Sequence, residues 1–215
     1  MSSEPEKFER FVGLAFPVMV GGRVLGAAIS PLLFAHLPVL LILMSPFLIH
    51  LVAVAPLVGA SVYFPVALVV TTMQALVGFH FGRSLGARAL EWLLKRVPFP
   101  PVLAEKLLGF VRRTSVLAVF AVPGPIMGTV VGVAGVRQRT FHLLVAPAQA
   151  IWVTAAYFVG EALLEYIEIA REFVIAHAFA LTGISVFLVS LRLIYGRFIK
   201  GRVSKYVKRW KKMLG

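Results

Sequence analysis

The apolar positions of this chain gather into runs of membrane length, and proline or glycine interrupts most of them. Phe11 to Phe34 is the first run, with Gly21-Gly22-Arg23 near its middle. Two readings of Arg23 stay open: it faces a bundle interior, or the helix starts after it. Leu37 to Gly59 follows, cut by Pro38, Pro46 and Pro56, with His50 between them. It is too irregular for a clean span and reads as a re-entrant hairpin. Val62 to Phe81 is a full span despite Pro65. Phe141 to Gly160 is another, with Pro147 as a kink, and Phe173 to Tyr195 is the last.

The most heavily broken run lies around Pro123-Gly124-Pro125, followed by Gly128, Gly132 and Gly135. Proline removes an amide donor and clashes with the preceding turn, and glycine loosens the backbone. In lipid such a backbone survives only where protein or a water-filled cavity shields it. Arg112 and Arg113 precede this run; Arg137 and Arg139 follow it. A single crossing would put arginines on both sides, against the cytoplasmic bias of Lys and Arg. A hairpin over Ser115 to Val136 keeps all four on one side. The alternative is one Pro-kinked membrane helix.

Ser84 to Arg113 has a different pattern. Leu85, Ala89, Trp92 and Leu93 fall at helical spacing, opposite Arg88, Glu91, Lys95 and Arg96. After the breaker Val97-Pro98-Phe99-Pro100-Pro101, the spacing returns at Leu103, Leu107, Phe110 and Val111. These predict two amphipathic helices in the membrane interface. Glu161, Glu165, Glu168 and Glu172 mark one helix face, read as solvated.

Composition fixes the class. The chain is 60% hydrophobic and 14% charged, with mean hydropathy +0.91; soluble domains carry about a quarter charged residues. The expectation is a single all-α integral membrane domain over residues 1–215. Met1 to Arg10 does not read as a secretory signal. The net charge of +13 raises nucleic acid as a partner, but in a membrane protein it reports topology and anionic lipid. No nucleic-acid role is expected. Without cysteine there is no disulfide or thiolate nucleophile.

Charge asymmetry orients the chain. Residues 83–113 hold seven Lys/Arg against two Glu; the tail holds nine, from Arg192 to Lys212, and no acid. The Glu161–Glu172 stretch holds four Glu and one Arg. The basic stretches and both termini are therefore expected in the cytoplasm and the Glu stretch outside. The organisation expected is an N-terminal segment with the first span (1–34), hairpin and span (35–82), interfacial helices (83–113), hairpin and span (114–160), external loop and last span (161–195), and a basic tail (196–215). Gly59, Phe64, Gln74-Ala75-Leu76 and Gly82 precede Gly135, Phe141, Gln149-Ala150-Ile151 and Gly160 by 75 to 78 residues. About four spans and two Pro-broken hairpins thus form an inverted repeat, an architecture common among transporters.

Gly78-Phe79-His80-Phe81-Gly82-Arg83-Ser84-Leu85-Gly86 resembles the aromatic-x-x-Gly-Arg-x-x-Gly signature of the DedA family, also called the VTT or SNARE-associated family. Val133-Ala134-Gly135-Val136, Phe141 and Trp152 resemble the stretch after that family's second hairpin. The resemblance implies a membrane lipid transporter of the prokaryotic cytoplasmic membrane, flipping or scrambling phospholipid or polyprenyl phosphate. The chain departs from the family in two places. Its first hairpin has no acid, and Ala121 and Met127 stand near Pro123 where arginines are expected.

Arg83, Arg137 and Arg139 are the best candidates to hold an anionic headgroup, since guanidinium matches phosphate with a planar fork of donors. Singly, each also suits anchoring of a helix end. Gln74 and Gln149 lie inside apolar spans and either line a polar path or bond helix to helix. His50 and His80 are candidates to bind a headgroup or relay protons, and His142 also lies close to a hairpin. Pro46, Pro56, Pro123, Gly124 and Pro125 are the hairpin breakers. No metal-ligand spacing and no Ser/His/acid arrangement is present, so neither cofactor nor catalysis is expected. The basic tail is expected to bind anionic lipid. With no Asp anywhere and no Glu between Glu9 and Glu91 or between Glu105 and Glu161, transport is expected to be passive or coupled through histidine. Two other functions compete: a non-transporting membrane protein that binds anionic lipid or a partner, and a small-solute or drug exporter.

Overall fold

A computed structural model describes residues 4–96, 109, 111, 113, 114, 119, 120 and 124–198. Its elements are all helical: α1 (Glu4–Ala28), α2 (Ser30–His36), α3 (Pro38–Met44), α4 (Leu48–Val54) with a 3-10 turn (Ala55–Leu57), α5 (Ala60–Leu85), α6 (Ala87–Arg96), α7 (Pro125–Val133), α8 (Gln138–Ala162), α9 (Leu164–Ala176) and α10 (Ala178–Phe198). Most of the first limb of the second hairpin, Pro123 included, most of the second interfacial helix and the tail from Ile199 lie outside the described residues.

Among the described residues, three helices are long and apolar enough to cross a membrane: residues Arg10–Ala28 of α1, then α5 and α8. Helices α9 and α10 meet at 91° and make a fourth if counted as one broken span. A helix in lipid satisfies its own backbone groups, and this favours unbroken helices of that length. These are the features of an integral membrane protein.

The first expected segment differs from the structure. Gly21 and Gly22 do not interrupt α1, which runs on to Ala28. Glycine lowers helix propensity by about 1 kcal/mol, less than the loss of backbone bonds where water cannot replace them. The last span also differs. It does not run from Phe173, because the helix breaks at His177 with no proline or glycine to mark it. The His177 ring bonds back onto its own turn, with Nδ1–H donating to the Phe173 carbonyl at 2.9 Å.

Elsewhere proline sets the breaks. Leu37, before Pro38, is pushed out of the helical region, as a residue preceding proline must be. Ser45 to Phe47, around Pro46, separates α3 from α4, and Pro56 sits in the 3-10 turn. The expected broken character of residues 37–59 is therefore present. At α7, Gly124 takes φ +107°, open to glycine and strained for other residues. Pro125 then opens the helix at N1, where its missing amide costs nothing.

The chain forms two compact units. Unit one holds residues 1–17, 73–148 and 192–215; unit two holds 18–72 and 149–191. In unit one, α7 lies against the C-terminal part of α5 through four glycines. An added Cβ at Gly78 would meet the Pro125 carbonyl, and one at Gly82 the Thr129 carbonyl. Reciprocally, Gly128 meets the Ala75 carbonyl and Gly132 the Phe79 carbonyl. Two Gly-x-x-x-Gly faces thus bring the backbones together, the packing mode that replaces hydrophobic burial in lipid. Phe79 and Phe141 stack beside this contact with ring centroids 4.2 Å apart. Phe16 and Phe81 stack at 4.1 Å, with Trp92 of α6 edge-on to both. Ala89, Leu90 and Leu93 are buried and Arg88 is exposed, so α6 is amphipathic.

In unit two, α4 and its 3-10 turn lie against Gly160 of α8. A Cβ there would meet the Val52 carbonyl, with Ala55 Cβ at 2.7 Å. Tyr63 and Tyr157 pair beside it at 5.4 Å. The core around them includes Leu33, Leu41, Ile42, Leu51, Val54, Val153 and Ala156. Helix α9 packs on α2, where Arg171 Nη2–H donates to the Ala35 carbonyl at 3.3 Å. Glu161, Glu165, Glu168 and Glu172 are all exposed.

Candidate anion pocket

In unit one Arg83 stands in the last turn of α5, α7 ends at Val133, and α8 begins at Gln138. Where these ends meet, Arg83, Arg137, Gln138, Arg139 and His142 line an open pocket of about 520 Å³. Gly135, at φ +82°, turns the chain sharply between α7 and α8. Arg83 Nη1–H donates to the Val136 carbonyl at 3.2 Å, which ties the α5 end to that turn and orients the guanidinium. All three arginines are exposed, and among the described residues no carboxylate lines the pocket. The first amides of α8 add partial positive charge, since a helix N-terminus favours anions.

His142 lies one turn into α8. Its Nε2 and the Nε2 of His80 are 3.2 Å apart, so one ring donates its proton to the other. Both nitrogens cannot carry protons and keep this bond. The pair therefore holds two different tautomers when neutral.

Thus the structure brings Arg83, Arg137 and Arg139 together, with His80 attached through His142. It does not bring in the other candidates. Gln74 is buried in unit one and does not line the pocket. Gln149 is buried in unit two, and its Oε1 has no hydrogen-bond partner. Helices α5 and α8 begin 78 residues apart, at Ala60 and Gln138, and this register sets Gln149 opposite Thr71 rather than Gln74. His50 belongs to unit two, where its Nδ1–H donates to the Ser45 carbonyl at 2.6 Å and clamps the turn around Pro46. Pro46 is buried, Pro56 half-buried, and Pro125 and Gly124 form the start of α7.

The chain matches no protein-family model, no curated protein and no solved structure. What the pocket does must therefore come from its own chemistry. Exposed guanidiniums, a helix start and an imidazole pair suit a phosphate or another oxyanion at the membrane surface. Among the described residues no group of three or more His, Cys, Asp or Glu is placed to hold a metal ion.

Sequence reasoning missed Gln138 as a lining residue. It also read Gly78, Gly82, Gly128 and Gly132 only as motif residues or backbone looseners. The signal available was their spacing, since Gly-x-x-x-Gly occurs in both segments and marks a close helix contact.

Proposed function

We propose that this chain is a membrane lipid transporter that lets a phospholipid or polyprenyl phosphate headgroup pass between leaflets, passively. The observation that carries this reading is the pocket lined by three arginines and, among the described residues, no carboxylate, beside a glycine-packed helix. The likeness of Gly78 to Gly86 to the DedA signature supports it. Correspondences at a spacing of 78 residues support an inverted repeat. Phe79 and Phe141 pair in unit one, and Tyr157 and Tyr63 pair in unit two. Gly82 meets the backbone of α7, and Gly160 meets that of α4. In this reading two re-entrant hairpins enter from opposite sides, and both termini are cytoplasmic.

The test is lipid movement in liposomes carrying a fluorescent lipid in both leaflets. Dithionite bleaching beyond the outer half, lost when Arg83, Arg137 and Arg139 are all changed to Gln, is the expected result. Bleaching that stops at half with folded protein sinks the reading. Cysteines placed at Ser115 and Gln138 should both be labelled from the cytoplasmic side; labelling from opposite sides removes the second hairpin. The same rates with and without a pH gradient are expected for passive movement.

A second reading has its own observation. The three arginines are exposed, as they would be in a protein that only docks on anionic lipid. It predicts arginine-dependent binding to acidic vesicles with no bleaching beyond half.

A further inference from the structure

The turn between α3 and α4 contains a hydroxyl with nothing to bond. Ser45 is fully buried, and its Oγ has no hydrogen-bond partner. A buried hydroxyl left in that state costs about 1–3 kcal/mol, and it lies in the apolar part of the chain. Ser45 is also held firmly. Its backbone N–H donates to the Leu41 carbonyl at 2.8 Å, and its own carbonyl accepts from Phe47 N–H at 2.7 Å and from His50 Nδ1–H at 2.6 Å. The hydroxyl is therefore fixed in place by a clamp that leaves it unused.

A cation stands over the same turn. Arg23 is half-buried inside the α1 span, and its Cζ lies 4.3 Å from the centre of the Phe47 ring. Gly26, three residues on and on the same face of α1, lets that helix press onto the turn. A Cβ at Gly26 would be 3.0 Å from Ser45 Cβ. Arg23 and Ser45 thus lie at one turn, and the ring of Phe47, 42% exposed, stacks on the guanidinium.

We propose that Arg23 and Ser45 form an oxyanion-binding site inside the first broken segment, taking a phosphate group whose oxygens accept from the guanidinium and from the Ser45 hydroxyl. Phe47 covers the guanidinium and must swing aside to admit the ligand, while His50 acts as a positioning residue through the Ser45 carbonyl. The site lies in unit two and is separate from the arginine pocket of unit one. It stands whether or not the chain moves lipid, because it is read by binding. The phosphate comes from a lipid headgroup or from a free anion, and the experiment separates the two.

The full chain, purified in detergent, is melted by tryptophan fluorescence while dihexanoyl phosphatidic acid, dihexanoylglycerol or inorganic phosphate is titrated in. An Arg137→Gln/Arg139→Gln background weakens the surface pocket. On that background phosphatidic acid should still raise the melting temperature and dihexanoylglycerol should not. Ser45→Ala should weaken the apparent affinity about ten-fold, as loss of a bond to a charged group does. Its ligand-free melting temperature should stay the same or rise, because the change removes an unsatisfied hydroxyl. Arg23→Gln should weaken affinity at least as much. An equal response to inorganic phosphate assigns the site to a free anion; a response to the lipid alone assigns it to a headgroup. The proposal is overturned if Ser45→Ala leaves the affinity unchanged, if it lowers the ligand-free melting temperature, or if neither phosphate compound stabilises the background protein.

Discussion

Unit one and unit two solve the same problem with different chemistry. Each packs a short broken helix against a long one, backbone to backbone. Unit one uses four glycines, two on each helix, and sets its cations outside that contact, in an open pocket. Unit two uses Gly160 on one side only, with Ala55 and Pro56 filling the rest, and holds Arg23 beside the break itself. A broken segment therefore needs close backbone support in both places, but the position of its charge is free to vary. Packing belongs to the scaffold; charge placement, on the readings proposed above, belongs to what each unit would bind.

The hardest blow to this comparison should come at the glycine quartet. Gly82→Val forces a side chain into the Thr129 carbonyl, which cannot move without shifting α7. We expect a loss of about 3 kcal/mol or more, or no folded protein, measured by thermal unfolding in detergent. Gly160→Val should cost somewhat less, about 2 kcal/mol, because it presses on one backbone carbonyl, that of Val52, at a contact with glycine on one side only. If Gly160→Val proves the costlier change, the ranking of the two units is wrong. Gly21→Ala is the control in open space, with nothing within 4 Å of an added Cβ. It should stabilise by up to about 1 kcal/mol.

This contrast shows how far the sequence could be read. Pro38, Pro46 and Pro56 all fall at helix breaks, while Pro17, Pro65 and Pro147 sit inside continuous helices. A missing amide breaks a helix only where neighbours cannot make up the loss, and neighbours are not visible in a linear pattern. Gly21 and Gly22 looked like breakers and are not; Gly78 and Gly132 prove to be contact surfaces. The grouping of Arg83, Arg137 and Arg139 was legible from charge, since all three follow apolar runs expected to end on one side. Arg23 was visible only as an anomaly, because Phe47, whose ring its guanidinium sits over, belongs to the distant break between α3 and α4. Nothing in the local sequence announced the break at His177, where a ring bonds its own turn.

Smaller effects sharpen the difference in charge. Each of Arg83→Gln, Arg137→Gln and Arg139→Gln should reduce binding to acidic vesicles by about 1 kcal/mol, roughly five-fold, with more loss at low salt than at high. Arg83→Gln should also lower stability slightly, since it alone among the three bonds the Val136 carbonyl. Equal stability for all three would mean the tie does not hold the turn. The least change is expected at His142→Ala. It removes an exposed imidazole bond to His80 and should cost under about 1 kcal/mol in thermal unfolding.

The 91° bend at His177 has a mechanical consequence for the bilayer. If α10 crosses the membrane, α9 lies close to the membrane plane. Tyr166, Ile169 and Phe173 are exposed along α9, as are Glu165, Glu168 and Glu172. Its thirteen residues make a rod about 20 Å long, seated in the headgroup layer of one leaflet and absent from the other. Such a rod takes up area on one side only. The protein then carries a built-in mismatch of leaflet area, and a membrane crowded with it should bend toward the opposite leaflet.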